Sequence, residues 1–169
     1  HRRHTCGKPL AMVSMDNCSH NGAKLQGAIM EFVDAWKKNG QISDEEYAYL
    51  TEKVSFPWSM IDKITPRPAP EIADQLEADG LEDMHPFVTS KNTYIAPFVN
   101  AERPQYLVIE NDFPNGRPAL DKAGVIFTDR DTVNKVEMMK VCTCLNPPQT
   151  ALAVYGCMLG YTSIAKEVQ

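Results

Sequence analysis

Met138-Met139-Lys140-Val141-Cys142-Thr143-Cys144-Leu145-Asn146-Pro147-Pro148-Gln149 governs the reading of this chain, because it sets one cation inside an apolar run. The run stops at Asn146-Pro147-Pro148 and resumes as Thr150-Ala151-Leu152-Ala153-Val154-Tyr155. An unpaired ammonium is costly in low dielectric, so lysine is among the residues least often buried. Two readings of Lys140 stand. A buried lysine has a shifted pKa and can exchange protons near neutral pH. A lysine at a helix edge packs its stem and keeps its head in water. The spacing of Val133, Val136 and Met139 predicts a helix from Thr132, with Asp131 as its cap. The prolines predict its interruption at Asn146 and a second, largely apolar helix from about Gln149.

Working back toward the N-terminus, Leu10 to Met15 reads as a short buried strand, followed by the loop Asp16-Asn17-Cys18-Ser19-His20-Asn21-Gly22. Ala23 to Lys38 forms an amphipathic helix, with Leu25, Ile29, Phe32, Val33 and Trp36 on one face and Asn39-Gly40 as its stop. Ser43-Asp44-Glu45-Glu46 is a capping box opening a helix to about Val54. Pro70 to Ala78 is a short helix ended by Gly80. Between the helical parts, Thr93 to Val99, Gln105 to Glu110 and Val125 to Phe127 read as strands.

The length of 169 residues suits one ordinary domain. With 43% hydrophobic and 23% charged residues and a mean hydropathy of -0.34, the composition is that of a soluble, folded chain. A net charge of -5 argues against nucleic acid as a partner. No apolar stretch is long enough to span a bilayer, since Gly156 and Gly160 break the longest, and no secretory signal is expected. Five cysteines (Cys6, Cys18, Cys142, Cys144 and Cys157) fit reduced, buried thiols in a cytoplasmic protein. Their spacings lack metal-ligand pairs, so no metal is expected. The ends read as cut, as in a piece of a longer polypeptide.

Three polar islands interrupt apolar segments: Asp16-Asn17, Asp62, and Lys140 with Asn146 and Gln149. Asn17 follows a buried strand, where its amide can address a ligand oxygen or simply close an Asx turn with Asp16. Asp62, amid Met60, Ile61 and Ile64, is either a carboxylate partner for a lysine or a cap. Asn146 either ends a helix or serves as a ligand. The chain contains no G-x-S-x-G, no P-loop and no G-x-G-x-x-G.

In order, four blocks resemble the mannitol dehydrogenase family of polyol-specific long-chain dehydrogenases: Val13 to Gly22, Phe56 to Pro66, Leu107 to Phe113, and Lys140 to Gly160. Met139-Lys140-Val141 with Cys144-Leu145-Asn146-Pro147 is most similar to the mannonate oxidoreductase (fructuronate reductase) branch. The resemblance implies an α/β fold going to mainly α. Residues 1–22 would end a Rossmann-type nucleotide domain, and 23–169 would begin a largely helical substrate domain with a small β insertion. It implies an NAD- or NADP-dependent oxidoreductase whose partner is a small sugar acid or polyol, with mannonate and fructuronate favoured and mannitol and fructose as the alternative.

The same resemblance implies that Lys140 takes the proton of the substrate hydroxyl, that Asn17 and Asn146 grip its oxygen, and that Asp62 positions the lysine. Such a lysine must titrate well below its ordinary pKa of ~10.4. Two departures stand out. Five residues separate Lys140 from Asn146 where the family has four, which calls for a one-residue bulge or another counterpart. Gln149 stands where the family commonly has histidine, and glutamine binds a sugar hydroxyl without titrating. These departures leave a second class open, a non-catalytic carbohydrate-binding or interaction domain derived from such an enzyme. With no dinucleotide fingerprint, this chain alone is expected neither to bind nicotinamide nor to turn over.

Overall fold

In the computed structural model, which describes residues 1–103 and 106–168, a turn of helix α1 (Arg2–Thr5) leads into β1 (Leu10–Ala11). The expected strand through Met15 is cut short for a local reason. The Ser14 carbonyl is taken by the side chains of Asn21 and Ser59, not by a neighbouring strand. Gln105, where one expected strand begins, and Gln169 lie outside the described residues.

Helix α2 (Asn21–Lys38) buries Val33, while Phe32 and Trp36 of its expected inner face turn outward, their rings 6.1 Å apart. Its end is set by Asn39 and Gly40, the latter at φ 68°, a left-handed geometry that glycine adopts without a side-chain clash. The capping box forms as read. The Glu46 amide donates to Ser43 and the Ser43 amide donates back to the Glu46 carboxylate, starting α3 (Asp44–Glu52). Strand β2 (Val54–Ser55) then pairs parallel with β1, Leu10 opposite Val54. Strand β3 (Ser59–Met60) is fully buried.

The chain divides into two units, His1–Asp62 with Tyr106–Gln169, and Lys63–Gln105. The smaller unit holds α4 (Pro70–Ala78), with proline in its first turn as expected, and a hairpin of β4 (Phe87–Val88) and β5 (Tyr94–Ile95). The hairpin is the small β insertion. It shortens the strand expected from Thr93 to Val99 and adds a partner that two apolar residues did not announce.

In the larger unit, β6 (Val108–Glu110) runs antiparallel to β3 and parallel to β7 (Ile126–Thr128), giving the order β3-β6-β7. Helix α5 (Arg130–Met139) crosses this sheet. Met60, Val108 and Val133 form the core, closed by Trp58, Tyr106, Val136 and Val141. The cap of α5 is Asp129 and not Asp131, because Asp129 lies three residues before Thr132 and accepts its amide at 2.8 Å. Those hydrogen bonds, the Thr132 amide first, hold the Asp129 carboxyl below the usual carboxylate range.

The expected break at Asn146 does not occur. A π-helical segment, Lys140–Leu145, joins α5 directly to α6 (Asn146–Met158), with Asn146 at φ -63° and ψ -47°. Thr143 Oγ1 donates to the Met138 carbonyl, five residues back, at 2.9 Å. A π turn is wider than an α turn and tolerates the amides that Pro147 and Pro148 lack, so the helix bulges where a regular one would end. A last turn, α7 (Ile164–Glu167), follows.

The cysteines are free as expected but not buried. Cys6, Cys142, Cys144 and Cys157 are exposed and Cys18 is half-buried. Their apolar neighbours misled, because Val154, Tyr155 and Met158 on α6 are themselves uncovered among the described residues. No helix among these residues is long and apolar enough to cross a membrane.

Candidate active site

Asn21 organises the site although it is not one of the residues singled out above. It is 2% exposed, and its amide donates to the carbonyls of Ser14 and Asp16 and to Ser59 Oγ, at 3.3, 3.0 and 2.9 Å. Its oxygen accepts the Ser59 amide at 3.0 Å, and Ser59 Oγ donates to the Ser14 carbonyl at 2.6 Å. These bonds fasten the loop after β1 to the start of β3. Gly22 permits the approach, since a Cβ there would lie 2.6 Å from the Phe56 carbonyl oxygen and from the Trp58 ring.

A cleft of about 240 Å³ opens between that loop, the residues following β3, and the α5–π–α6 helix. Asn17, Asp62 and Asn146 line it, with Glu137, Val141 and Cys142 from the helix. Asn17 Nδ2 donates to Asp62 Oδ1 at 2.9 Å, so its amide reaches across the cleft instead of serving a local turn. Lys140 is half-buried. Its Nζ donates to the backbone carbonyl of Asp62 and lies 3.6 Å from the centroid of the Tyr106 ring. The Lys140 head is held within the fold by a carbonyl and an aromatic face and does not simply extend into water. Asp62 is the joint: its carboxylate receives Asn17 and its carbonyl receives Lys140.

The extra residue between Lys140 and Asn146 falls inside the π segment. A π turn closes i to i+5 where an α turn closes i to i+4. Asn146 therefore stands to Lys140 as a residue five positions on would stand in a regular helix. Gln149 is exposed and does not line the cleft.

Sequence reasoning also missed Glu137 and His20. Glu137, one turn before Lys140, is 7% exposed and lines the cleft, with the His20 amide 3.5 Å from its Oε2. The one available signal was a carboxylate at helical spacing from Lys140. Behind the cleft, Glu110 Oε2 accepts the Trp58 amide at 3.0 Å and the carboxylate also receives Arg130 Nε at 3.0 Å. Among the described residues, no three His, Cys, Asp or Glu side chains converge to hold a metal ion.

This arrangement, an α/β start with a lysine and two asparagines at the junction with a helical end, has relatives. Residues 1–122 match the family model described as the mannitol dehydrogenase Rossmann domain. The chain is 54% identical to the D-mannonate oxidoreductase of Thermotoga maritima, over 95% of this chain and 30% of that protein. It is 34% identical to the polyol:NADP oxidoreductase of Gluconobacter oxydans, over 99% of this chain and 30% of that one. Among solved structures it resembles the Pseudomonas fluorescens mannitol 2-dehydrogenase in ternary complex with NAD and D-mannitol. The TM-score is 0.55 at 31% identity, covering 82% of this chain and 25% of that one. The chain belongs to the mannitol dehydrogenase family, and it spans about 30% of the length of the first two of these relatives.

Proposed function

We propose that the protein carrying this chain is an NAD- or NADP-dependent oxidoreductase of sugar acids or polyols, most specifically one that interconverts D-mannonate and D-fructuronate. The observation that carries the reading is the convergence of Asn17, Asp62 and Asn146 on one cleft, with Lys140 hydrogen-bonded to Asp62. The 54% identity to a D-mannonate oxidoreductase favours the sugar acid over mannitol. The expected boundary, with residues 1–22 ending the nucleotide domain and 23–169 beginning the substrate domain, stands against the matched Rossmann-domain model, which runs to residue 122. Five free thiols support a reducing, cytoplasmic setting.

In the oxidation direction, Lys140 acts in its neutral form and takes the hydroxyl proton of the bound alcohol. Asn17 has a second amide hydrogen besides the one given to Asp62. With the Asn146 amide it donates to the oxygen as charge develops there, the role of an oxyanion site. Asp62 keeps the lysine and Asn17 in one frame. The bound nicotinamide supplies the hydride acceptor. The residues placed in these roles serve the alcohol end of the reaction. Gln149, one turn beyond Asn146, lies outside the cleft lining and reaches a sugar hydroxyl only if the substrate extends past the cleft.

The test is Lys140→Ala in the full-length protein, assayed with mannonate and NAD or NADP at neutral pH. General acid–base catalysis contributes about 10²–10⁴-fold, so kcat should fall by that much. An unchanged rate would overturn the assignment.

A further inference from the structure

His20 is an outlier in the backbone. At φ 54° and ψ 43° it sits in the left-handed region, immediately before the first residue of α2. Histidine, like the Asp83 and Asn92 that share this conformation, enters it more readily than most non-glycine residues, and at His20 the surroundings hold it there. What holds it is on both sides. The imidazole stacks on Trp58, with centroids 4.4 Å apart and an interplanar angle of 28°. Its Nε2 lies 2.8 Å from Asn134 Oδ1 on α5, and its backbone amide points to Glu137 Oε2 one turn further along.

Each anchor is itself fixed. Trp58 has its amide on Glu110 and Arg130 over its ring at 5.2 Å, and Gly22 closes against it from the loop side. Asn134 and Glu137 belong to the helix that runs into the π segment and Lys140. His20 thus touches all three parts of the cleft wall: the loop carrying Asn17, the segment leading to Asp62, and the helix carrying Lys140 and Asn146. Among the described residues, two side-chain bonds join that loop to α5, the His20 ring with Asn134 and the Glu137 carboxylate accepting the His20 amide, and the ring is the one that also stacks on Trp58.

We propose that His20 is a positioning residue, whose ring, clamped between Trp58 and Asn134, sets the Asn17 loop in register with the Lys140 helix. It lies outside the cleft lining, with its ring occupied by Trp58 and Asn134. The inference rests on the proposed oxidoreductase reading, because register between an amide and a lysine matters only if both act on one oxygen. A misplacement of about 1 Å in such a constellation costs on the order of a hundredfold in rate.

The experiment uses the full-length protein with His20→Ala, Asn134→Ala and Lys140→Ala in parallel. For His20→Ala the expected result is a ten- to hundredfold fall in kcat. The KM for the sugar acid and the affinity for the nicotinamide should stay near wild type, at a temperature where the variant is fully folded. A merely structural residue would lower the melting temperature and leave kcat intact below it. Asn134→Ala removes the hydrogen bond while keeping the stack, and a fall of smaller size is expected. Should His20→Ala fail to fold, Asn134→Ala decides the matter, and an unchanged kcat there overturns the proposal. Normal kcat in His20→Ala overturns it as well. If Lys140→Ala is inactive while both other variants are normal, this inference fails and the oxidoreductase reading survives. If Lys140→Ala is fully active, the reading beneath it has failed.

Discussion

Two regions of the larger unit contrast in opposite senses with their own sequence. The loop Ser14–Gly22 is rich in polar residues, yet its Asn21 is buried and fully bonded, together with Ser59 of β3. The helical end around α6 is rich in apolar residues, yet Met158 is 76% exposed and Tyr155 and Leu159 also face outward. Hydropathy reports transfer preference, but burial follows from whether neighbours can satisfy what a side chain carries. The first region is closed by hydrogen bonds across long sequence separations. The second lacks a covering layer among the described residues.

Asn21→Ala is the sharpest way to break this contrast. It would take from the buried Ser59 amide its side-chain acceptor, while the Ser14 and Asp16 carbonyls keep their second donors, Ser59 Oγ and the Cys18 amide. Unsatisfied buried groups cost about 1–3 kcal/mol each, partly relieved by water. Denaturant unfolding should therefore show a loss of about 1–3 kcal/mol. A loss below about 1 kcal/mol would mean that the cluster is wetter and looser than the bonds imply.

The same contrast separates what could be read beforehand from what could not. The capping box at Ser43, the proline at the start of α4 and the glycine stop after α2 were legible because each acts within four residues. The four candidate residues Asn17, Asp62, Lys140 and Asn146 were legible as polar breaks in apolar runs. Their connections were not. Asn17 and Asp62 are 45 residues apart, Asp62 and Lys140 are 78 apart, and His20 and Glu137 are 117 apart. No local pattern foretells that Asp62 would meet the lysine through its carbonyl and keep its carboxylate for Asn17. The π segment was hidden for another reason: Asn146-Pro147-Pro148 reads as a stop, and only a widened turn lets the helix continue through it.

A smaller effect tests the helix that joins the two regions. The folded-state pKa of Asp129 is lowered, chiefly by the Thr132 amide and next by its hydroxyl. A depressed carboxylate contributes stability that is present above the unfolded pKa of ~3.9 and lost as pH falls through the still lower folded value. Asp129→Ala should lower the melting temperature at neutral pH by a few degrees. The gap between variant and wild type should close below about pH 4. A gap that persists in acid would show that the cap acts through packing and not through its charge.

The weakest effect belongs to the exposed end. With its side chain 76% exposed, Met158 has little burial to lose, so Met158→Ser should change the unfolding free energy of this chain by less than about 0.5 kcal/mol. Chemical denaturation of the 169-residue chain and its variant reads this directly. A cost of about 2 kcal/mol, the range for burying a methionine side chain, would break the comparison from its other side. It would mean that α6 is covered in solution by this chain itself or by a second copy of it, and that its apolar sequence reported burial correctly after all.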